Sequence, residues 1–577
     1  MAGGPTRPQR GRRQVALLER KGRFTSAVPL FERGQSLALE RRERTREGQI
    51  AWVEFGAGRA RLIRDLGRVD VARDVCEALA LARHVRRGFP RRVEDEAEAA
   101  AAAPEQFDRD DLTGLATFTV DPATARDFDD AVSARRDGDG IRLWIHIADV
   151  SAFVRPGSVL EGEAFLRANS TYVPTSVEPM LPHSLSSGVC SLSPGDERLA
   201  VTSEFLLSPR GEVRSAAFYR SRIRSDARLD YDQLDRIFDG REHAPEPVGE
   251  PIALARKAAA SLAELSQGSA LEVHSAEPTF EFDGEGNVTR AFGEHQTEAH
   301  RLIEKLMVLT NEQVAGLTCA RGIPSVYRVH EMPDPDRVER MLGQLASLGL
   351  PAPPVPSGMG PTTAGNLAVE ASRSVAREAA RRGHGAHAYS TLVLRSLKPA
   401  RYLERNLGHA GLGIDAYCHF TSPIRRYPDL LAHRALLSAV GGGEVAPTTG
   451  DVAEAALHCS EREREAMIVE RDADDVCAAF LLERELFEEG FGKRFEGEVR
   501  GVIRAGVFVH FGGRLGDVYE GFVPARRIRG ERFEMNEEET ALIGGKTGRA
   551  VRLGDPLAVQ VDKVDAPRGR VDLFPAE

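Results

Sequence analysis

The sequence predicts a multidomain α+β protein that combines a small basic N-terminal module, a large mixed α/β region and a C-terminal β-barrel. Three observations support this fold class. The 577 residues correspond to three or four domains of roughly 150 residues each. Basic residues concentrate at the N-terminus, and short alternating strands fill the last segment. Hydrophobic residues make up 42% of the chain and charged residues 28%, which is enough apolar material for a large core.

The N-terminal module, residues 1–92, carries 22 basic and 10 acidic residues, although the whole chain has a net charge of −10. VALLERKGRF (15–24) predicts the start of a helix, IAWVEFGAGRARLIRDL (50–66) a hairpin and DVARDVCEALALARHVRR (70–87) a second helix. Helix, hairpin and helix in a small basic unit predict a winged-helix-like module. Its charge indicates either a polyanionic partner or a solvated arm without a ligand. A protein partner at this end is a further alternative.

An acidic, Ala-rich linker of helical composition follows at residues 93–111, and the mixed α/β region then spans residues 112–490. LATFTVD (115–121) and IRLWIHIADV (141–150) have strand character, and DGDG (137–140) is a turn signal before the second of them. HRLIEKLMVLTNEQVAGL (300–317) and YPDLLAHRALLSAV (427–440) predict helices. A long charged helix within residues 461–489 closes the region.

The C-terminal segment, residues 491–577, contains about five short strands, the number and spacing of an OB-type barrel. Phe495, Phe508, Phe511 and Tyr519 alternate there with basic residues. Such a pattern is typical of a face on which single-stranded nucleic acid stacks. We expect about half of these aromatic side chains to fill the barrel core instead, with Phe508 contacting RNA.

Cysteine usage and hydropathy bear on the cellular compartment. The six cysteines are scattered and form no C-x-x-C pair, which argues against a zinc site and a disulfide framework and fits a reducing compartment. The chain has no apolar run of the roughly 20 residues that a membrane span needs, and its N-terminus does not resemble a secretory signal. We therefore expect a cytoplasmic protein that does not contact a membrane.

The segment DPATARDFDDAV (121–132) places Asp121, Asp127, Asp129 and Asp130 within ten positions. Carboxylates held together repel one another, and a bound cation with a preference for hard oxygen ligands, such as magnesium, relieves that repulsion. Two such ions about 4 Å apart activate water and neutralise the leaving oxygen in phosphodiester hydrolysis. The alternative is a solvated acidic turn. If the segment were a strand, Asp130 would face away from Asp127 and Asp129, so convergence requires a loop or bulge.

A second segment, HFTSPIRRYPDLLAHR (419–434), makes the interpretation specific. Together the two segments resemble the signatures of the ribonuclease II/ribonuclease R (RNB) family, in the same order and with the same internal spacing. The resemblance extends from about residue 112 to the C-terminus. It implies an RNB catalytic domain at 112–490 and an OB-fold RNA-binding domain of the ribosomal S1 type at 491–577. The family usually carries tandem cold-shock-type barrels at the N-terminus, for which residues 1–111 leave no room.

The resemblance also implies roles for individual residues. In the family the four aspartates hold magnesium, and Asp129 matches the carboxylate most critical for chemistry, with Asp130 beside it. Arg425 matches the arginine that grips the scissile phosphate, a role that suits a permanently charged, bidentate donor. For Arg426, which follows it, we predict an ordinary surface charge.

Further positions are implied to bind RNA. Tyr172, in NSTYVPTSVEPMLP, matches an aromatic residue that stacks on a nucleotide near the RNA 3′ end. Tyr231 and Glu304 match residues that contact the terminal nucleotides and sense the ribose, whose 2′-hydroxyl distinguishes RNA from DNA. Val273 stands where the family tends to place a second stacking phenylalanine.

The resemblance therefore implies a processive 3′-to-5′ exoribonuclease that uses magnesium to hydrolyse single-stranded RNA to nucleoside 5′-monophosphates, in RNA turnover or processing. We expect a monomer. Two alternatives stay open at this point. One is a catalytically silent RNA-binding protein on the same scaffold, and the other is a phosphorolytic or endonucleolytic enzyme.

Overall fold

The computed structural model describes residues 12–22, 24–40, 45–56, 58–266, 268, 270–271, 277–294, 296–528 and 530–576. Val273, the position of the expected stacking partner, lies outside these ranges. Within them, no helix combines the length and the apolar character that crossing a membrane requires.

The N-terminal module is a five-stranded sheet followed by one helix, and a second helix begins at its end and continues into the predicted linker at 93–111. The elements are β1 (Arg12–Lys21), β2 (Phe24–Pro29), β3 (Leu37–Ala38), β4 (Gln49–Phe55), β5 (Ala60–Arg68), α1 (Ala72–Ala82) and α2 (Arg91–Ala102). The strand order is β3-β2-β1-β4-β5, and a parallel bridge from Leu39 to Ala60 joins the two edges of the sheet. The sheet therefore curls around a small apolar core that includes Leu18, Val53 and Phe55.

The prediction of a winged-helix-like N-terminal module is wrong. A helix was expected at residues 15–24, but residues 15–21 belong to β1 and Phe24 begins β2. Ala, Leu, Glu and Arg favour helices only weakly, and tertiary pairing overrides that preference. β1 is the central strand of the sheet, with β2 on one side and β4 on the other. The hairpin expected at residues 50–66 is present as β4 and β5, and the expected second helix is α1.

The mixed α/β region contains thirteen strands and nine α-helices among the described residues. They are β6 (Asp110–Asp111), β7 (Phe118–Val120), β8 (Asp130–Asp137), β9 (Gly140–Ala148), α3 (Val159–Arg167), β10 (Thr171–Val173), β11 (Ser176–Glu178), β12 (Glu197–Leu207), β13 (Val213–Arg224), β14 (Ala227–Leu229), α4 (Tyr231–Phe238), α5 (Gly249–Leu265), β15 (Glu277–Phe282), β16 (Val288–Glu294), α6 (Glu298–Ala320), β17 (Tyr327–Val329), α7 (Pro335–Ser347), α8 (Pro361–Arg382), α9 (Ala386–Ser396), β18 (Arg401–Leu403), α10 (Tyr427–Val440) and α11 (Thr449–Glu489).

The centre of this region is a seven-stranded sheet with the order β14-β7-β8-β9-β12-β13-β6. Strands β8 and β9 form the hairpin expected at residues 137–140, where Asp137 pairs with Gly140. Gly138 has φ +59°, a left-handed conformation that suits glycine. Helices α5, α6 and α10 contribute apolar residues to the core that also contains the sheet's buried side chains.

Helix α11 has 41 residues and is therefore about 60 Å long. It begins at Thr449 because the Thr448 hydroxyl caps it by accepting the Asp451 N–H at 3.2 Å. The helix ends at Glu489, immediately before the C-terminal barrel.

The C-terminal segment is a closed barrel with the strand order β19-β20-β21-β26-β25, which confirms the predicted OB-type fold. Its elements, including a separate three-stranded sheet formed by β22, β23 and β24, are β19 (Arg494–Ile503), β20 (Gly506–Phe511), β21 (Tyr519–Pro524), β22 (Phe533–Met535), β23 (Ala541–Gly544), β24 (Ala550–Arg552), β25 (Pro556–Asp565) and β26 (Arg570–Pro575). The N-terminal sheet has the same connectivity, since in both the first strand pairs with the second and fourth and the third meets the fifth in parallel.

The N-terminal module is packed against the rest of the molecule. One hydrophobic core contains residues of α1, α11 and the C-terminal barrel. The buried Sγ atoms of Cys76 on α1 and Cys477 on α11 lie 3.6 Å apart without a disulfide bond. Arg568 of the barrel donates from Nε to the carbonyl oxygen of Leu30 at 2.8 Å. The module is therefore a docked domain and not a solvated arm.

Candidate active site

The acidic segment forms a loop between two paired strands. Asp121 directly follows β7, and Asp130 is the first residue of β8. Antiparallel pairing places Phe118 of β7 opposite Val132 of β8, so the intervening chain leaves the sheet and returns to it at nearly the same point. The loop therefore brings Asp121 near Asp129 and Asp130, as the sequence required for convergence.

The electrostatics of the cluster reflect this crowding. Burial, together with Asp130 and Asp129, raises the pKa of Asp121 to about 8. Burial also raises the pKa of Asp129 to about 8, although Arg425 opposes the shift. The pKa of Asp130 is raised to about 6 by burial against the influence of Arg425 and Arg426, and burial also raises the pKa of Asp127. Ionised together, these carboxylates destabilise one another, which a bound cation would relieve.

The carboxylate oxygens of the cluster suit a hard divalent cation, although they are not arranged as a complete set of metal ligands. In the part of the chain that the structure describes, no group of three or more His, Cys, Asp or Glu side chains is arranged to hold a metal ion. However, Asp121 Oδ2 is buried without a hydrogen-bond partner. An orphaned carboxylate oxygen beside further carboxylates is the hard-oxygen environment that magnesium prefers. The residues therefore fit magnesium by their chemistry.

Arg425 lies beside the cluster on a loop that precedes α10; we call residues 421–426 the Arg425 loop. Asp129 Oδ1 accepts the Ile424 N–H at 2.9 Å, and Asp129 Oδ2 lies 3.4 Å from Arg425 Nε. Arg425 also donates from Nη2 to Ser422 Oγ at 3.1 Å, and its side chain remains 45% exposed. The guanidinium group can therefore reach a ligand that approaches the carboxylates.

Arg426 does not occupy the surface position that was predicted for it, and that prediction is wrong. Its Nη2 donates to Asp429 Oδ1 at 2.7 Å, and Asp429 is completely buried. Burial by itself would lower the pKa of Arg426, but the carboxylate of Asp429 reverses this, so that the pKa is raised. The two consecutive arginines therefore differ, because Arg425 is accessible and Arg426 is held in an internal ion pair.

Tyr172 is brought to the same place by pairing between chain segments. Ser170 donates its N–H to the carbonyl oxygen of Arg425 at 3.0 Å, and Tyr427 donates its N–H to that of Ala168 at 2.8 Å. The Tyr172 side chain is 39% exposed, and burial of its hydroxyl group raises its pKa to about 12 in spite of the nearby Arg425. The ring is therefore close to Arg425 and still presents surface for stacking.

Tyr231 and Glu304 form a second group next to the cluster. Strand β14 pairs with β7, and the Asp121 N–H donates to the carbonyl oxygen of Leu229 at 3.2 Å. Tyr231 lies two residues after Leu229, next to this contact. The Tyr231 ring stacks on His300, with ring centroids 3.8 Å apart at 14°. Glu304 lies one helical turn beyond His300 on α6.

Two participants in this arrangement were not predicted from the sequence. His300 covers one face of Tyr231, and its only signal was a spacing of four residues from Glu304, which places both on one helical face. Asp429 holds the Arg425 loop, and its only signal was its place in the SPIRRYPD segment.

Of the four aromatic residues considered for a nucleic-acid-stacking face on the C-terminal barrel, one is exposed. Phe495, Phe511 and Tyr519 are buried in the core, whereas Phe508 is 36% exposed and its ring lies 5.1 Å from that of Phe522. The Tyr519 hydroxyl donates to Glu485 of α11 at 2.8 Å, which fixes the barrel to that helix.

Comparison with known families decides what this arrangement is. Residues 109–442 match the family model described as RNB domain, and residues 490–574 match the one described as S1 RNA binding domain. The chain belongs to the RNB family. Among relatives, ribonuclease R 1 of Lactococcus lactis is 34% identical over 516 residues, covering 86% of this chain and 60% of its own length. Ribonuclease R of Escherichia coli is 33% identical over 483 residues, covering 80% and 57%.

Similarity in fold to a solved structure extends over nearly the whole chain, beyond the RNB match itself. The apo form of Mycoplasma genitalium RNase R has a TM-score of 0.87 to this structure at 23% identity, covering 98% of this chain and 90% of that one. The chain spans only about 60% of the length of the two ribonuclease R sequences named above. The similarity nevertheless includes the N-terminal sheet, which the family models leave unmatched.

Proposed function

We propose that the chain is a processive 3′-to-5′ exoribonuclease that hydrolyses single-stranded RNA to nucleoside 5′-monophosphates with magnesium, in cytoplasmic RNA turnover or processing, as a monomer. One observation carries the proposal: an accessible arginine, Arg425, lies 3.4 Å from Asp129 within a buried group of aspartates in an RNB domain. A cationic fork next to carboxylates suits a phosphodiester that is hydrolysed between them.

Magnesium is assigned to the aspartate cluster. Asp121, Asp127, Asp129 and Asp130 would hold the ion, which would supply an activated water and neutralise charge at the scissile phosphodiester. The raised pKa values of these carboxylates and the unpartnered Asp121 Oδ2 support this assignment.

Arg425 binds the scissile phosphate in this proposal. Its contact with Asp129 is a loose one at 3.4 Å, and almost half of the side chain is exposed, so that a phosphate can take the place of the carboxylate. A guanidinium group forms two parallel hydrogen bonds with phosphate oxygens and orients them. The same group stabilises the additional negative charge that develops on the phosphate during hydrolysis.

The aromatic residues hold the last nucleotides. Tyr172 stacks on a base next to the scissile bond, a contact worth about 1–3 kcal/mol that does not depend on the base. Tyr231 and Glu304 recognise the terminal ribose, because a phenol hydroxyl and a carboxylate are suitable partners for a 2′-hydroxyl. His300 covers one face of Tyr231, so RNA meets the hydroxyl edge or the opposite face. Phe508 binds RNA further upstream, on the outside of the barrel.

The chemistry is tested by the identity of the products. Hydrolysis releases nucleoside 5′-monophosphates whether or not inorganic phosphate is present. We expect thin-layer separation of RNA digests made with and without phosphate to show the same monophosphates. Nucleoside diphosphates that appear only with phosphate would contradict hydrolysis, and intact RNA would indicate a silent RNA-binding protein.

A further inference from the structure

The Arg425 loop is anchored by one carboxylate that has no access to RNA. Asp429, the third residue of α10, is completely buried. Its Oδ1 accepts the Ser422 N–H at 2.8 Å and Arg426 Nη2 at 2.7 Å. One oxygen atom therefore holds both the beginning and the end of the loop.

The loop that Asp429 anchors carries the groups assigned to the reaction. Ser422 Oγ accepts Arg425 Nη2 at 3.1 Å, and the Ile424 N–H donates to Asp129 Oδ1 at 2.9 Å. A shift of the loop would therefore move Arg425 and Asp129 together. Displacements of about 1 Å in such groups are enough to reduce turnover about 100-fold.

The ion pair between Asp429 and Arg426 would be costly to break. Removing one partner of a buried ion pair leaves the other as an uncompensated charge, which is strongly unfavourable. Across the described ranges of the chain, the one ion pair that Arg426 forms is with Asp429, so no second carboxylate takes over this contact.

We propose that Asp429 and Arg426 are positioning residues. Their ion pair fixes the position of the Arg425 loop, so that Arg425 and Asp129 act on the same phosphate. The inference rests on the proposed function. Neither residue is assigned a contact with RNA, and both act through the hydrogen bonds of Ser422 and Ile424. Arg426, predicted as a surface charge, is thereby given a role in the site.

The first test replaces Asp429 with asparagine, which keeps the shape of the side chain and removes its charge. We expect kcat for a short single-stranded RNA to fall by about 10–100-fold, as for other groups that orient catalytic residues, while KM stays near its wild-type value. We also expect faster hydrogen exchange of the Ile424 amide, because its acceptor Asp129 is no longer aligned with the loop.

Asp149→Asn is the matched control. Asp149 is equally buried, and its partners Arg109, Arg220 and Ser151 all lie outside the Arg425 loop. This variant loses a buried carboxylate that pairs with arginine, so its thermal stability should fall. Turnover per folded molecule and exchange at Ile424 should remain at wild-type values, which separates positioning from general destabilisation.

Arg426 supplies a second variant in case Asp429→Asn does not fold. Arg426→Lys keeps a charge against Asp429, whereas Arg426→Gln removes it. Positioning predicts that the lysine variant retains clearly more turnover than the glutamine variant and exchanges more slowly at Ile424. Equal turnover and equal exchange in the two would overturn the inference.

The exchange measurement separates the positioning role from the proposed function. If wild-type protein does not cleave RNA, the proposed function fails, while exchange at Ile424 still reports whether Asp429 sets the loop. If wild-type protein cleaves RNA and a folded Asp429→Asn variant has normal kcat and normal exchange, the positioning role fails and the proposed function stands.

Discussion

Asp129 is the residue at which the two parts of the site meet. It belongs to the acidic loop after β7, yet both of its oxygens face the Arg425 loop, which lies nearly 300 residues further along the sequence. Its side chain is almost fully buried, so its charge depends on these partners and on any bound cation. Single substitutions at its neighbours therefore test the site directly.

Arg425→Lys keeps the positive charge and removes the planar fork. We expect a marked fall in kcat, of the order of 10²-fold, as when one group that stabilises transition-state charge is removed, with a smaller change in RNA affinity. Single-turnover cleavage and filter binding measure the two effects. Arg155→Lys, at an exposed arginine paired with Glu105, is the control. Unchanged turnover in Arg425→Lys would exclude the phosphate-binding role.

Magnesium should stabilise the protein more at high pH than at low pH. The pKa values of Asp121 and Asp129 are raised to about 8, so the metal-free folded protein holds protons that the unfolded chain has already released above about pH 4. Folded stability without metal therefore falls as pH rises from about 4 to 8, and magnesium removes that loss. The increase in Tm on adding magnesium should grow from pH 5 to pH 8.

The same titration with Asp121→Asn serves as the control, because that variant lacks one of the shifted carboxyl groups. Its magnesium-dependent gain in Tm should be smaller and less dependent on pH. An equal gain at every pH in wild-type protein would show that the cluster does not bind the metal in place of protons.

Tyr231 and Glu304 provide the test of sugar selectivity. Wild-type protein should bind an all-DNA oligomer and leave it intact, because the terminal sugar lacks the hydroxyl that these residues recognise. Replacing both with alanine should reduce the ratio of RNA to DNA cleavage rates. Gln296→Ala, which removes only the donor to Glu304, is a milder control. If the double variant retains the wild-type ratio, this assignment is wrong.

At the scale of elements, local periodicity predicted some parts of the fold and failed where distant pairing decides the structure. Helix α10 has the predicted bounds, and the β8–β9 turn lies where the DGDG segment indicated. Strand β1 was mistaken for a helix because its Ala, Leu, Glu and Arg residues carry helical preference, while its partners β2 and β4 are not visible in a local window.

In the site, too, local patterns were predicted from the sequence, whereas contacts between distant residues were not. The spacing of the four aspartates and the SPIR segment were visible in the sequence, and the structure brings Asp129 and Arg425 into contact. The stacking of His300 on Tyr231 and the anchoring by Asp429 join separate elements or depend on burial, so no spacing rule predicts them. The charge of Arg426 was assigned to the surface because sequence alone does not reveal the buried carboxylate beside it.

At the scale of the whole molecule, the curled N-terminal sheet and the C-terminal barrel have the same connectivity and flank the RNB domain, and α11 shares one hydrophobic core with residues of both. The basic N-terminal module joins this core through α1. Because α1 shares a core with α11 and the C-terminal barrel, deletion would expose buried apolar surface. RNA binding by this module is therefore better tested by single substitutions than by truncation.

Arg59 and Arg64 are exposed arginines of this module. If they bind RNA phosphates, replacing both with glutamine should flatten the slope of log affinity against log salt by about 0.7 for each phosphate that is no longer neutralised. Arg68→Gln is the control, since Asp70 already pairs with that arginine. Affinities measured over a salt series give the slopes. A double variant with the wild-type slope would show that these arginines do not bind RNA.

The central claim is directional hydrolysis at the aspartate cluster, and one measurement tests it most directly. A single-stranded oligoribonucleotide labelled at its 5′ end is digested over time with magnesium or with EDTA, by wild-type protein and by Asp129→Asn. We expect labelled fragments that shorten progressively from the 3′ end with magnesium, and intact RNA with EDTA or with the variant. Immediate release of a labelled mononucleotide, internal fragments, or equal cleavage by Asp129→Asn would contradict the claim.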